Sequence, residues 1–106
     1  MSKDNWLEVC AAAAIEPEGV VRFDLEERTF AIYRTDDDRY FATDGLCTHE
    51  RVHLADGLVI GTVIECAKHS GMFDFTTGRA LGPPVCFDLK TYPVRVTDGT
   101  VFVNVG

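Results

Sequence analysis

The sequence predicts an all-β fold, on three observations. Runs rich in β-branched and aromatic residues recur along most of its 106 residues, strong turn signals divide them, and a single short segment reads as a helix. Residues 20–25 and 29–34 are the first two strands. The run Asp36-Asp37-Asp38, a solvated turn, separates the second from a third strand at 39–42, which makes a meander. Near the end, strands at 92–96 and 100–105 flank Asp98-Gly99, a pair that tolerates positive φ at both positions of a two-residue hairpin turn. The helix candidate, residues 10–14, is stopped by Pro17 and Gly19 and has room for one or two turns. Trp6 and Phe102 are expected in the core. No repeat or low-complexity linker breaks the chain, so one domain is expected.

Bulk properties exclude several function classes. Ten basic against seventeen acidic residues leave a net charge of −7, which repels phosphate backbones and argues against nucleic-acid binding. No apolar run approaches the length needed to span a bilayer. Residues 1–5 lead into no signal-peptide pattern, so a cytoplasmic, reducing compartment is expected.

The chemistry is concentrated in two short pairs. Cys47-Thr48-His49 and Cys66-Ala67-Lys68-His69 are separated by sixteen residues, and each offers one thiolate and one imidazole in loop-like sequence. Brought together, they form a metal site of two sulfur and two nitrogen ligands. The sulfur and nitrogen of each pair can reach different metals, so both cysteines can share one iron and both histidines another. A structural zinc site is an alternative, although zinc pairs are usually of like residues two to four apart. A disulfide between Cys47 and Cys66 is another, disfavoured in a reducing compartment.

The segment 45–50, then 66–71, Phe73-Asp74, Thr77-Gly78 and Pro83-Pro84, resembles the Rieske iron–sulfur pattern in order and spacing. The run 89–94 is similar to that of the small Rieske ferredoxins serving bacterial ring-hydroxylating oxygenases, and the likeness spans nearly the whole chain. It implies a Rieske fold: an antiparallel β-sandwich base from residues 1–44 and 85–106, with residues 45–84 inserted as a cluster-binding subdomain. It implies one [2Fe-2S] cluster per chain, held by Cys47, His49, Cys66 and His69, with Pro83 and Pro84 in a stiff covering loop. It implies a soluble, monomeric one-electron carrier, without a catalytic residue, that takes electrons from a flavin-dependent NAD(P)H reductase and gives them to a terminal non-haem iron oxygenase in aromatic catabolism. A small subunit of another redox enzyme, such as a nitrite reductase, is the related alternative.

Departures from the pattern set further expectations. High-potential Rieske proteins carry a serine and a tyrosine two and four positions after the second histidine, where this chain has Gly71 and Phe73, and cysteines where it has Val52 and Lys68. A potential at the low end of the Rieske range, which is about −150 to +300 mV, is therefore expected. His53 does not stand at a ligand position and is expected at the surface or in a hydrogen bond. Cys10 and Cys86 are expected to be small, at least half-buried residues. Partner docking is expected around His49 and His69, on a rim of Glu50, Arg51, His53, Lys68, Met72 and Pro83.

Overall fold

A computed structural model describes residues 5–68, 70–83 and 87–106. Its strands are β1 (Trp6–Ala11), β2 (Gly19–Leu25), β3 (Arg28–Arg34), β4 (Tyr40–Asp44), β5 (Leu58–Ile60), β6 (Val63–Glu65), β7 (Met72–Asp74), β8 (Arg79–Ala80), β9 (Thr91–Tyr92), β10 (Val94–Thr97) and β11 (Thr100–Asn104). They form three antiparallel sheets ordered β1-β11-β10, β2-β3-β4-β9 and β5-β6-β7-β8. The third sheet is made entirely of chain lying between β4 and β9. Among the described residues, no helix is long and apolar enough to cross a membrane.

β3 joins the layers. Residues 30–33 are all buried, and because side chains alternate across a strand they serve two cores. Phe30 and Ile32 pack with Ile15, Tyr92, Val101 and Val103 of the base; Ala31 and Tyr33 face Val59, Ile64, Phe73 and Phe75 of the third sheet. There the Tyr33 and Phe75 rings stack at 4.2 Å and 2°.

The expected strands at 20–25, 29–34, 39–42 and 100–105 are present with shifted ends. The hairpin turn has φ of +52° at Asp98 and +75° at Gly99, joining the Thr97–Thr100 pair. The aspartate turn is exposed and organised by the buried Thr35, whose hydroxyl donates to Asp37 and accepts the Arg39 N–H. The helix is shorter than expected: residues 10 and 11 belong to β1, leaving one 3-10 turn at Ala12–Ala14. The expected strand at 92–96 is divided at Pro93, which lacks an N–H, so that β9 pairs with β4 and β10 with β11. Trp6 and Phe102 are half-buried rather than core residues. On β11 it is Val101 and Val103 that point inward, and the alternation turns Phe102 outward; the Arg95 guanidinium lies 4.5 Å from the centre of the Trp6 ring.

Candidate metal centre

The two cysteines occupy equivalent places in two hairpins. In the first, Leu46 bridges to His53 and the Cys47 N–H donates to the Val52 carbonyl at 2.9 Å, leaving residues 48–51 as a protruding loop. In the second, Glu65 pairs with Met72 and the Cys66 N–H donates to the Gly71 carbonyl at 2.7 Å, which closes the neck of the second loop. Each cysteine thus bonds to the residue five positions on. Ser70, with φ of +57°, turns the second loop back and donates its N–H to the Cys66 carbonyl.

Gly45 sets the first loop against the base. Its N–H donates to Thr29 and its carbonyl accepts from Leu54. A Cβ there would stand 2.9 Å from the Phe30 nitrogen, closer than side chains tolerate.

Burial separates the two cysteines from His49. Cys47 and Cys66 are 4% and 1% exposed, within the apolar cluster of Leu54, Ile64 and Phe73. His49 is exposed. Cys47 makes no disulfide, which removes the Cys47–Cys66 bridge as a reading. An ion pair ties the loops together, Lys68 Nζ to Glu50 Oε1 at 3.1 Å.

A third segment, residues 87–89, is bonded to the first loop and to β8 and its preceding turn. The Thr48 hydroxyl donates to the Phe87 carbonyl at 2.7 Å, Ala80 N–H to Asp88 Oδ1 at 2.9 Å, and Leu89 N–H to the Gly78 carbonyl at 2.7 Å. His69, Pro84 and Cys86 lie outside the described residues. Pro83 is exposed.

His53, expected at the surface or in a hydrogen bond, answers to this only in part: its carbonyl accepts from the Asp56 N–H at 3.1 Å. It is half-buried at the neck of the first loop, with Nδ1 buried and without a hydrogen-bond partner, beside a polar cavity lined by Arg22, Asp24, Arg28 and Arg51. The Thr48–Phe87 bond and the Glu50–Lys68 pair were not foreseen; both join residues distant in sequence, and no local pattern marks them.

This donor set fits an iron–sulfur group. Two ferric ions, two sulfides and two thiolates sum to zero charge, so the cysteine end can be buried at little electrostatic cost, with an imidazole-ligated end at the surface. The two positions where high-potential Rieske proteins are expected to carry hydroxyls have none here: position 71 is glycine and position 73 a fully buried phenylalanine.

Comparison with known proteins agrees. A model of the Rieske [2Fe-2S] domain matches residues 5–93. The ferredoxin component of the naphthalene 1,2-dioxygenase system of Pseudomonas aeruginosa is 38% identical, covering 95% of this chain and 96% of the relative. Among solved structures, the Sphingomonas yanoikuyae B1 ferredoxin superposes with a TM-score of 0.88 at 39% identity, covering 96% of this chain and 100% of that one. A chain from the complex of reduced oxygenase and oxidized ferredoxin in carbazole 1,9a-dioxygenase gives 0.89 at 35% identity, covering 96% and 94%. A putative nitrite reductase small subunit from Mycobacterium tuberculosis, at 24% identity with a TM-score of 0.81 and coverage of 92% on each side, shares the fold. The structural-zinc reading falls with these matches: the chain belongs to the Rieske [2Fe-2S] domain family, and its cofactor is a Rieske-type [2Fe-2S] cluster.

Proposed function

We propose that this chain is the electron carrier of a multicomponent oxygenase system, reduced by a flavin-dependent NAD(P)H reductase and oxidised by a terminal non-haem iron oxygenase. The observation that carries the reading is end-to-end similarity to the ferredoxin component of an aromatic dioxygenase system, over 95% of this chain and 96% of that relative. Residues 45–84 act as the cluster-binding subdomain on the remaining base.

When bound, the cluster supplies one reversible electron equivalent near the surface. The residues divide the work of holding it. Cys47 and Cys66 would hold one iron with their thiolates from within the apolar core, where Leu54, Ile64 and Phe73 exclude water. His49, which is exposed, and His69 would hold the other with their imidazoles. Burial of the sulfur side leaves the imidazole side as the short path for a single electron, so partners dock around His49.

The test is reconstitution. Purified chain with two irons and two acid-labile sulfides should couple NAD(P)H oxidation by a flavin reductase to oxygenase turnover, and omission of the chain should stop product formation. A chain that binds its cluster but accepts no electron from any such reductase would overturn the carrier reading.

A further inference from the structure

Exposed apolar side chains gather around the ligand loops. Phe87 is 71% exposed, the most of any large hydrophobic described, with Leu81 at 48% and Met72 at 40%; Pro83 is also exposed. Backbone bonds fix their neighbourhood. The Leu81 N–H donates to the Met72 carbonyl at 2.9 Å, and Thr48, next to His49, holds the Phe87 carbonyl at 2.7 Å. The two residues after Phe87 are pinned through Asp88 to Ala80 and through Leu89 to Gly78. An aromatic ring is therefore displayed to solvent from an anchored backbone, which limits the entropy lost when a partner covers it.

The charges on this end are partly cancelled, since Lys68 is paired with Glu50. Apolar contact, more than charge, is what this surface offers a partner.

We infer that Phe87, Leu81 and Met72 form the recognition surface for the terminal oxygenase, with the Phe87 ring seated in an apolar pocket of that protein. The inference rests on the carrier reading above. One observation selects the oxygenase. The carbazole-system relative has been solved as a complex with its oxygenase, and a complex that persists needs a buried aromatic or apolar centre, whereas rim charges act mainly on the rate of encounter. The patch is also uncharged on a chain of net charge −7, so it adds no repulsion when covered.

The experiment uses cluster-loaded chain with the oxygenase and reductase components of a naphthalene 1,2-dioxygenase system. Phe87→Ser should raise the ferredoxin concentration giving half-maximal oxygenase turnover about tenfold, and Leu81→Ser by a smaller factor, with neither effect shrinking at high ionic strength. Reduction by the reductase, the visible spectrum and the midpoint potential should match wild type. Ile60→Ser, 51% exposed on the same sheet but at the end away from the ligand loops, should change nothing. Unaltered half-saturation for Phe87→Ser would overturn the inference, as would equal slowing of the reductase step. Wild-type chain that the reductase reduces but no terminal oxygenase oxidises would instead refute the carrier reading beneath it.

Discussion

At the scale of the residue, the proposed sulfur ligands are buried while the proposed nitrogen ligand His49 is exposed. Cys47 and Cys66 present sulfur from inside a dry core, and oxygen there would be a harder, weaker ligand for iron. Cys47→Ser or Cys66→Ser should therefore lose nearly all iron and acid-labile sulfide, while His53→Ala keeps both, together with the visible spectrum. Loss of the cluster in His53→Ala but not in His49→Ala would refute the ligand assignment. The potential belongs to this scale as well. With a buried phenyl at position 73 and no side chain at 71, Gly71→Ser with Phe73→Tyr should raise the midpoint potential. A hydrogen bond stronger by about 1 kcal/mol in the reduced state corresponds to about 40 mV for one electron. Protein-film voltammetry reads the shift, and a native midpoint above roughly 100 mV would contradict the low-potential reading.

At the scale of the element, two loops with the same closure are held side by side by one exposed ion pair. Such pairs contribute at most about 1 kcal/mol. Lys68→Glu does more than remove a rim charge, because it sets two carboxylates against each other across the loops. Cluster release on warming should be faster in Lys68→Glu and return to near the wild-type rate in the swap Glu50→Lys/Lys68→Glu. A swap as labile as the single variant would show that the pair does not hold the loops. Much of this element was legible in the sequence. Cys-x-His and Cys-x-x-His name the donor types and their loops, whereas the close approach of Gly45 to Phe30 is seen only in the structure. The pairing of Lys68 was not legible, because its partner arrives from the other loop.

At the scale of the whole molecule, stability depends on side-chain contacts that tie β3, β4 and β9 together within the β2-β3-β4-β9 sheet of the base. Tyr92 of β9 donates its hydroxyl to Asp44 of β4 at 2.5 Å and accepts from Arg28 of β3 at 3.1 Å, with its ring edge-on to Phe30. Burial, followed by the hydrogen bond to Asp44 and that residue's negative charge, pushes the Tyr92 phenol up to about 12, against the partial opposition of Arg28. A phenol whose pKa is higher folded than unfolded stabilises the fold fully below its ordinary value near 10, and that contribution is lost as pH rises towards 12. Wild type should accordingly lose stability over that interval in denaturant titrations. Tyr92→Phe should show a shallower loss, and equal slopes would remove Tyr92 from the cause.

The sequence by itself determined what is local. Donor types and spacing, the Asp98-Gly99 turn, the aspartate turn and the β-branched runs each follow from residues within a few positions of one another, where backbone sterics and side-chain period act directly. The tertiary structure alone decided the rest. The strands of the third sheet are two or three residues long, too short to display a period, and exist because Ala31 and Tyr33 offer them the far face of β3. Whether Trp6 and Phe102 face in or out depended on which side of β11 met the core. The exposure of Phe87 and the pairing of Lys68 were settled only when segments far apart in the chain came together, because burial and ion pairing are properties of neighbours in space.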